Sequence, residues 1–166
     1  MAATDTIVFT DLVGFTEYTD ACGDAAALAV LDQQSTIVRP VLASGEGRLV
    51  KELGDGLMLW FGHPSSALDA AVGMLAAIED ARQGPGFPLG MRIGMHAGEL
   101  LARGDDFVGQ TVNIAARVVD LAGPAELLAT DAVVAGAGES SFQPIGPTRV
   151  KGVATPVWLH RLRLSS

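Results

Sequence analysis

The stretch GRLVKELGDGLMLWF, Gly47–Phe61, decides how this chain folds. Two β-rich apolar runs, Gly47–Glu52 and Leu57–Phe61, flank the triplet Gly54-Asp55-Gly56. Apolar runs joined by a glycine-bracketed turn read as a β-hairpin. Upstream of it, Thr6–Phe9 (TIVF) reads as a buried strand. Asp24 can cap a helix running through Leu28, Leu31 and Val38, with Pro40 and Gly45 closing it. Downstream, Pro64 opens a helix whose Ala67, Ala70, Ala71, Met74, Leu75 and Ile78 share one face, and Gly84–Pro88 ends it. Leu89–Ala97 is then a strand, with Gly98–Arg103 as its short partner. Val112–Ala122 is an apolar helix stopped by Gly123-Pro124. A strand at Glu126–Ala129, a helical turn at Asp131–Ala135 and strands near Phe142–Ile145 and Val157–Leu162 close the chain.

Helices alternating with strands around one hairpin predict an α+β fold. The expected architecture is a ferredoxin-like βαββαβ core, polymerase-palm-like, with helices on one face and a C-terminal αβ extension. At 166 residues the whole chain, 1–166, reads as a single domain.

Composition narrows the function. The net charge of −8 and pI near 4.7 argue against nucleic acid and anionic membranes, both of which reward basic surfaces. No apolar run reaches the length of a membrane span, and the start lacks a basic signal-peptide region, so a cytoplasmic protein is expected. The single cysteine, Cys22, excludes an internal disulfide and reads as a small buried hydrophobe. After Glu139 no Asp or Glu follows, whereas Arg149, Lys151, Arg161 and Arg163 do. That asymmetry fits either a guarded edge strand or a place where an anion sits.

Two carboxylates stand out. Asp11 follows directly on the first strand and Asp55 sits at the hairpin tip. A ferredoxin-like sheet lays that strand beside the hairpin, so both can face one point. Such oxygen donors suit Mg²⁺ or Mn²⁺. Gly14-Phe15-Thr16 leads into a helix whose free N–H groups would favour a phosphate. Asn113 and Arg117, four apart, share a helical face and form a candidate oxyanion clamp. Asp120 is the ordinary alternative partner for Arg117, and Lys51 and Lys151 read equally well as solvated lysines. His63, His96 and His160 show no ligand spacing and are expected to be structural or surface residues.

Taken in order, FTDLVGFT, VKELGDG, RIGMHAGE, DFVGQTVNIAARV and RVKGV resemble the class III nucleotidyl cyclase catalytic domain over nearly the whole chain. The resemblance implies that Asp11 and Asp55, with the Leu12 carbonyl, hold two Mg²⁺ or Mn²⁺ ions per site. It implies that Lys51 and Asp106 read the base, Asn113 orients the ribose, Arg117 stabilises the pentavalent phosphorus and Lys151 contacts the terminal phosphates. It also implies a head-to-tail homodimer with metal aspartates from one subunit and the other groups from its partner. A regulatory domain, attached or separate, is a further expectation.

Lys51 as donor and Asp106 as acceptor match N1 and N6 of adenine and oppose guanine. ATP is thus the expected substrate and cyclic AMP the product. The alternatives are a guanylyl cyclase, or a silent nucleotide-binding dimerisation module. Two departures from the family pattern are visible: Glu52-Leu53 replace residues that are often smaller or β-branched, and the short link from Gly98 to Asp106 suggests a trimmed dimerisation hairpin.

Overall fold

The structure is a computed structural model and describes residues 4–163. Its organising strand is β1, Thr6–Leu12, buried along nearly its whole length. It pairs antiparallel with β3 (Gly56–Phe61) on one side and β4 (Met91–Ala97) on the other. β2 (Arg48–Leu53) completes the hairpin with β3, and Gly54-Asp55 form its two-residue turn. Gly54 has φ +64 while Asp55 has no positive φ, the pattern of a type II′ turn, whose twist suits a hairpin. Gly56 is sterically required: a Cβ there would lie 2.7 Å from the Thr10 carbonyl oxygen.

The four strands run in the order β2-β3-β1-β4, the expected ferredoxin-like arrangement, and the sheet then continues through β7 (Leu127–Thr130), β9 (Val157–Leu162) and β8 (Phe142–Thr148). β7 is parallel to β4; β9 and β8 return antiparallel. The result is a seven-stranded mixed sheet carrying the predicted C-terminal extension.

Helices α1 (Phe15–Cys22), α2 (Asp24–Ala43), α3 (Pro64–Gln83) and α5 (Asp131–Ala137) accompany the sheet. α3 follows its sequence pattern closely: all six of the predicted face residues are buried, and His63 caps its start by accepting from Ser65 N–H at 3.1 Å. Val8, Leu12, Leu59, Met91, Ile93 and Met95 pack with α2 and α3 residues in the larger core.

The remaining helix, α4 (Gln110–Asp120), opens the C-terminal extension and packs on the opposite face of the sheet from α2 and α3. Its Ala115 and Val119 pack with Ile7, Phe9 and Met58, the β1 and β3 residues that alternate away from the larger core. Ile114 and Val118 extend that second layer over Leu128 and Leu159. The close approach depends on Gly94, where a Cβ would collide with the backbone of Val118 and Val119.

Four expectations are revised. β1 extends to Leu12, so Asp11 lies within the strand, because pairing with β4 persists to Leu12–Met91. α2 is capped by Gly23 rather than Asp24; it continues past Pro40, and its Leu28 is exposed. Pro40 lies near the end, where Val38, Val41 and Leu42 are still packed on the core, so tertiary contacts carry the helix past it. Cys22 is exposed at the end of α1 rather than buried. Finally, the segment after β4 does not pair back on it. β5 (Leu101–Arg103) pairs with β6 (Asp106–Val108), giving a separate short hairpin turned at Gly104 with φ +61.

Candidate active site

The β1–β3 register brings the two aspartates together. Thr10 lies opposite Leu57, so the Gly54-Asp55 turn overhangs the end of β1. There the Leu12 N–H donates to Asp55 Oδ2 at 3.1 Å. From the other side, buried Gln34 of α2 donates through Nε2 to the Asp55 carbonyl at 3.3 Å, holding the hairpin tip. Asp11, Leu12, Asp55 and the segment Val13–Glu17 line an open cavity of about 290 Å³. Phe15 and Thr16 therefore begin α1 at the mouth of the carboxylate pair, as expected from sequence.

The two acids sit in unequal surroundings. Burial, then a hydrogen bond and repulsion from Asp11, push the Asp55 carboxyl up to about 6. Burial would raise Asp11 as well, but hydrogen bonds from Asp55 and Arg92 and the Arg92 charge hold it below its usual value. One proton shared between adjacent carboxylates is the expected response to unrelieved like charge. Hard oxygen donors under mutual repulsion fit a divalent cation, which would relieve that repulsion. Among the described residues no cluster of three or more His, Cys, Asp or Glu side chains is placed for a metal. A metal here would thus complete its ligand set from backbone, water or substrate oxygens.

Arg92 was missed by sequence reasoning. On β4 it lies directly opposite Asp11, and its Nη2 and Nε donate to Asp11 Oδ2 at 2.7 and 3.1 Å. The available signal was an arginine in an otherwise uncharged strand, where a half-buried guanidinium needs an anionic partner.

The other predicted residues gather on the α4 side. Lys51 Nζ donates to Asp106 Oδ2 at 2.8 Å, uniting two residues 55 apart in sequence. A bulge between Leu49 and Lys51 shifts the β2 register there. The β5–β6 hairpin is tied down beside them. Arg48 donates to the Asp105 carbonyl at 3.0 Å and covers the Phe107 ring, which stacks on Trp60 at 6.3 Å. The Lys51 hydrogen bond, followed by the Phe107 N–H, lowers the Asp106 pKa.

Asn113 and Arg117 are exposed on the outer face of α4. Asp120, the alternative partner of Arg117, instead lies 3.7 Å from Arg92. Among the ion pairs of the described residues Arg117 has none. Lys151 is exposed in the turn Val150–Val153, closed by Val153 N–H to the Val150 carbonyl at 3.1 Å with Gly152 at φ +83. Val153 packs against the Ile114–Val118 cluster, which anchors that turn to α4.

The histidines are structural, as expected. Burial lowers His96 to about 4, and its Nδ1 meets Thr130 Oγ1 at 2.6 Å; His160 Nε2 lies 3.0 Å from Asp131. In the acid-free tail, Arg161 bonds Glu126 at 2.6 Å and Arg163 donates to the Phe142 carbonyl.

A family model described as the adenylate and guanylate cyclase catalytic domain matches residues 3–161. The chain belongs to this family. Among cyclases, it is 27% identical over 164 residues to the pH-sensitive adenylate cyclase of Mycobacterium tuberculosis (strain CDC 1551 / Oshkosh), covering 95% of this chain and 40% of that protein. The chain spans about a quarter to two-fifths of the length of such curated relatives. The cyclase fold is equally plain. An adenylate/guanylate cyclase/hydrolase structure from Silicibacter pomeroyi superposes with TM-score 0.85 at 21% identity, covering 98% of this chain and 97% of that one. The adenylyl cyclase CyaB from P. aeruginosa gives 0.81 at 21% identity, with 99% and 95% covered.

Proposed function

We propose that this cyclase domain is an adenylyl cyclase, turning ATP into 3′,5′-cyclic AMP and pyrophosphate at sites shared across a head-to-tail homodimer. The observation that carries the choice of base is the Lys51–Asp106 pair at 2.8 Å. It presents an ammonium donor beside a carboxylate acceptor, the complement of adenine N1 and N6. Guanine offers the reverse pattern and would leave donor against donor and acceptor against acceptor.

In this reading Asp11, Asp55 and the Leu12 carbonyl hold two Mg²⁺ or Mn²⁺ ions. When bound, such ions lower the pKa of the ribose 3′-hydroxyl and neutralise the triphosphate. The N–H groups at Phe15 and Thr16, free at the start of α1, receive phosphate oxygens. Asn113 orients the ribose so that its 3′-oxygen attacks the α-phosphorus in line with the departing pyrophosphate. The new O3′–P bond forms as the P–O bond to pyrophosphate breaks, and the hydroxyl proton leaves to solvent. Arg117 stabilises charge on the pentavalent phosphorus, and Lys151 binds the terminal phosphates.

Sharing across two chains is supported by where these groups lie. The cavity at Asp11 and Asp55 is lined by β1, the β1–α1 turn, α1, the hairpin tip and Arg92. Lys51, Asp106, Asn113, Arg117 and Lys151 are not among its lining residues. A partner chain can supply them. With Arg92 counted, a composite site would hold three aspartates against four cations, so the acidic surface does not oppose the triphosphate locally. No helix among the described residues is long and apolar enough to cross a membrane, in keeping with a cytoplasmic location for this domain.

The test is cyclic nucleotide formation with ATP and with GTP, in Mg²⁺ and in Mn²⁺. Cyclic AMP far in excess of cyclic GMP supports the assignment. Equal turnover of GTP would refute the base argument, and nucleotide binding without product would indicate a silent module.

A further inference from the structure

Arg92 uses all three of its guanidinium nitrogens, and they serve two different places. Nε and Nη2 hold Asp11 Oδ2 at 3.1 and 2.7 Å. Nη1 donates to the carbonyls of Asp120 at 3.2 Å and Ala122 at 3.4 Å, where α4 ends, and Nη2 lies 3.7 Å from the Asp120 carboxylate. The final carbonyls of a helix lack intrahelical partners and carry partial negative charge, so a guanidinium is well matched to them. Its side chain is only 23% exposed, which makes these contacts stronger than those of a surface pair. A planar fork can span both groups at once; a lysine ammonium cannot.

α4 also carries Asn113 and Arg117. We propose that Arg92 is a positioning residue that couples the Asp11 carboxylate to the α4 helix of the same chain. This rests on the shared-site reading above, under which one chain's Asp11 and its Arg117 serve different active sites of the dimer. Arg92 then links the metal half of one site to the phosphate half of the other. A cation arriving at Asp11 competes with the guanidinium for the same carboxylate, and the change reaches the end of α4 through Nη1.

The first test needs neither nucleotide nor turnover. Amide hydrogen exchange at residues 118–122 is measured with and without Mn²⁺ in the wild type, Arg92→Gln and Arg92→Lys. A several-fold Mn²⁺-dependent change is expected in the wild type, and none in either variant. The same Mn²⁺ response in the variants as in the wild type, or no response in the wild type, overturns the coupling. Keeping the charge in Arg92→Lys guards against a variant that merely fails to fold.

The second test uses mixed chains. Asp55→Ala chains paired with Arg117→Ala chains leave one intact site, and Arg92→Gln is added to either partner in turn. On the Asp55→Ala chain it can act only through α4, which makes this the deciding arm; on the Arg117→Ala chain it acts at Asp11 and in the cavity it lines. A fall of roughly 10–100-fold is expected in both pairings, the usual range for residues that orient a metal ligand. A fall in one pairing only, or in neither, overturns the coupling. If the parent pairing shows no activity despite demonstrated mixed dimers, the shared-site reading fails, and the exchange measurement still judges Arg92.

Discussion

Replacing Asp55 by Asn should inactivate the enzyme and yet stabilise the metal-free protein at pH 8. Burial and the Asp11 charge bring Asp55 to about 6 from an ordinary 3.8. A difference of that size sets on the order of 3 kcal/mol against the ionised form. Asp55 is only half-buried, and solvent screening reduces this to about 1–2 kcal/mol. The sign follows from the two states. Below pH 3.8 the carboxyl is protonated both folded and unfolded, and the penalty is absent. As pH rises toward about 6, the unfolded chain ionises first, so the folded state loses stability across this window; above it the loss is complete. Asn mimics the protonated acid: it can still accept from Leu12 N–H and donate to Asp11. The variant should therefore gain about 1–2 kcal/mol at pH 8, a few degrees in Tm for a chain of this length, and almost nothing at pH 4. Denaturant unfolding in chelator at both pH values measures it. Added Mn²⁺ should stabilise the wild type and not the variant. A variant less stable by the same amount at both pH values would refute the reasoning and make Asp55 a structural residue.

Metal binding should weaken as pH falls below about 6, because the proton on Asp55 competes with the cation; titration calorimetry should detect proton release in that range. Asp55→Ala and Arg117→Ala should each abolish cyclic AMP formation, as should Asp11→Ala. Mixing the first two should restore activity, with about a quarter of sites complete under random pairing, read by cyclic AMP yield against the fraction of mixed dimers. Gly94→Ala should destabilise the fold by about 2 kcal/mol or more, because its Cβ meets the Val118–Val119 backbone; thermal unfolding reports it.

The parts of this molecule that were legible in the sequence are those governed by local rules. The glycine-bracketed turn fixed the hairpin, and the α3 stripe from Ala67 to Ile78 fixed a buried helix. Strand order followed, and with it the meeting of Asp11 and Asp55. What escaped depends on contacts remote in sequence. α4 crosses to the opposite face because Gly94, on another element, leaves space for its backbone. Arg92 meets Asp11 across 81 positions, a pairing set by β1–β4 register alone. Asp120 lies three residues after Arg117, within one helical turn, yet Arg92 claims it through the fold. Gly98–Arg103 resembled a partner for β4, whereas the turn at Gly104 commits it to β6. The roles expected of Lys51 and Lys151 rested on the family resemblance, since exposed lysines carry little signal of their own, whereas Asn113 and Arg117 stood out by their shared helical face.

The most direct measurement is the product formed by the purified domain from equimolar ATP and GTP with Mn²⁺ present. The account predicts cyclic AMP and pyrophosphate in equal amounts, with cyclic GMP a small fraction. Cyclic GMP at a comparable rate would contradict the reading of Lys51 and Asp106, and no cyclic nucleotide from either substrate would contradict the assignment as an active cyclase.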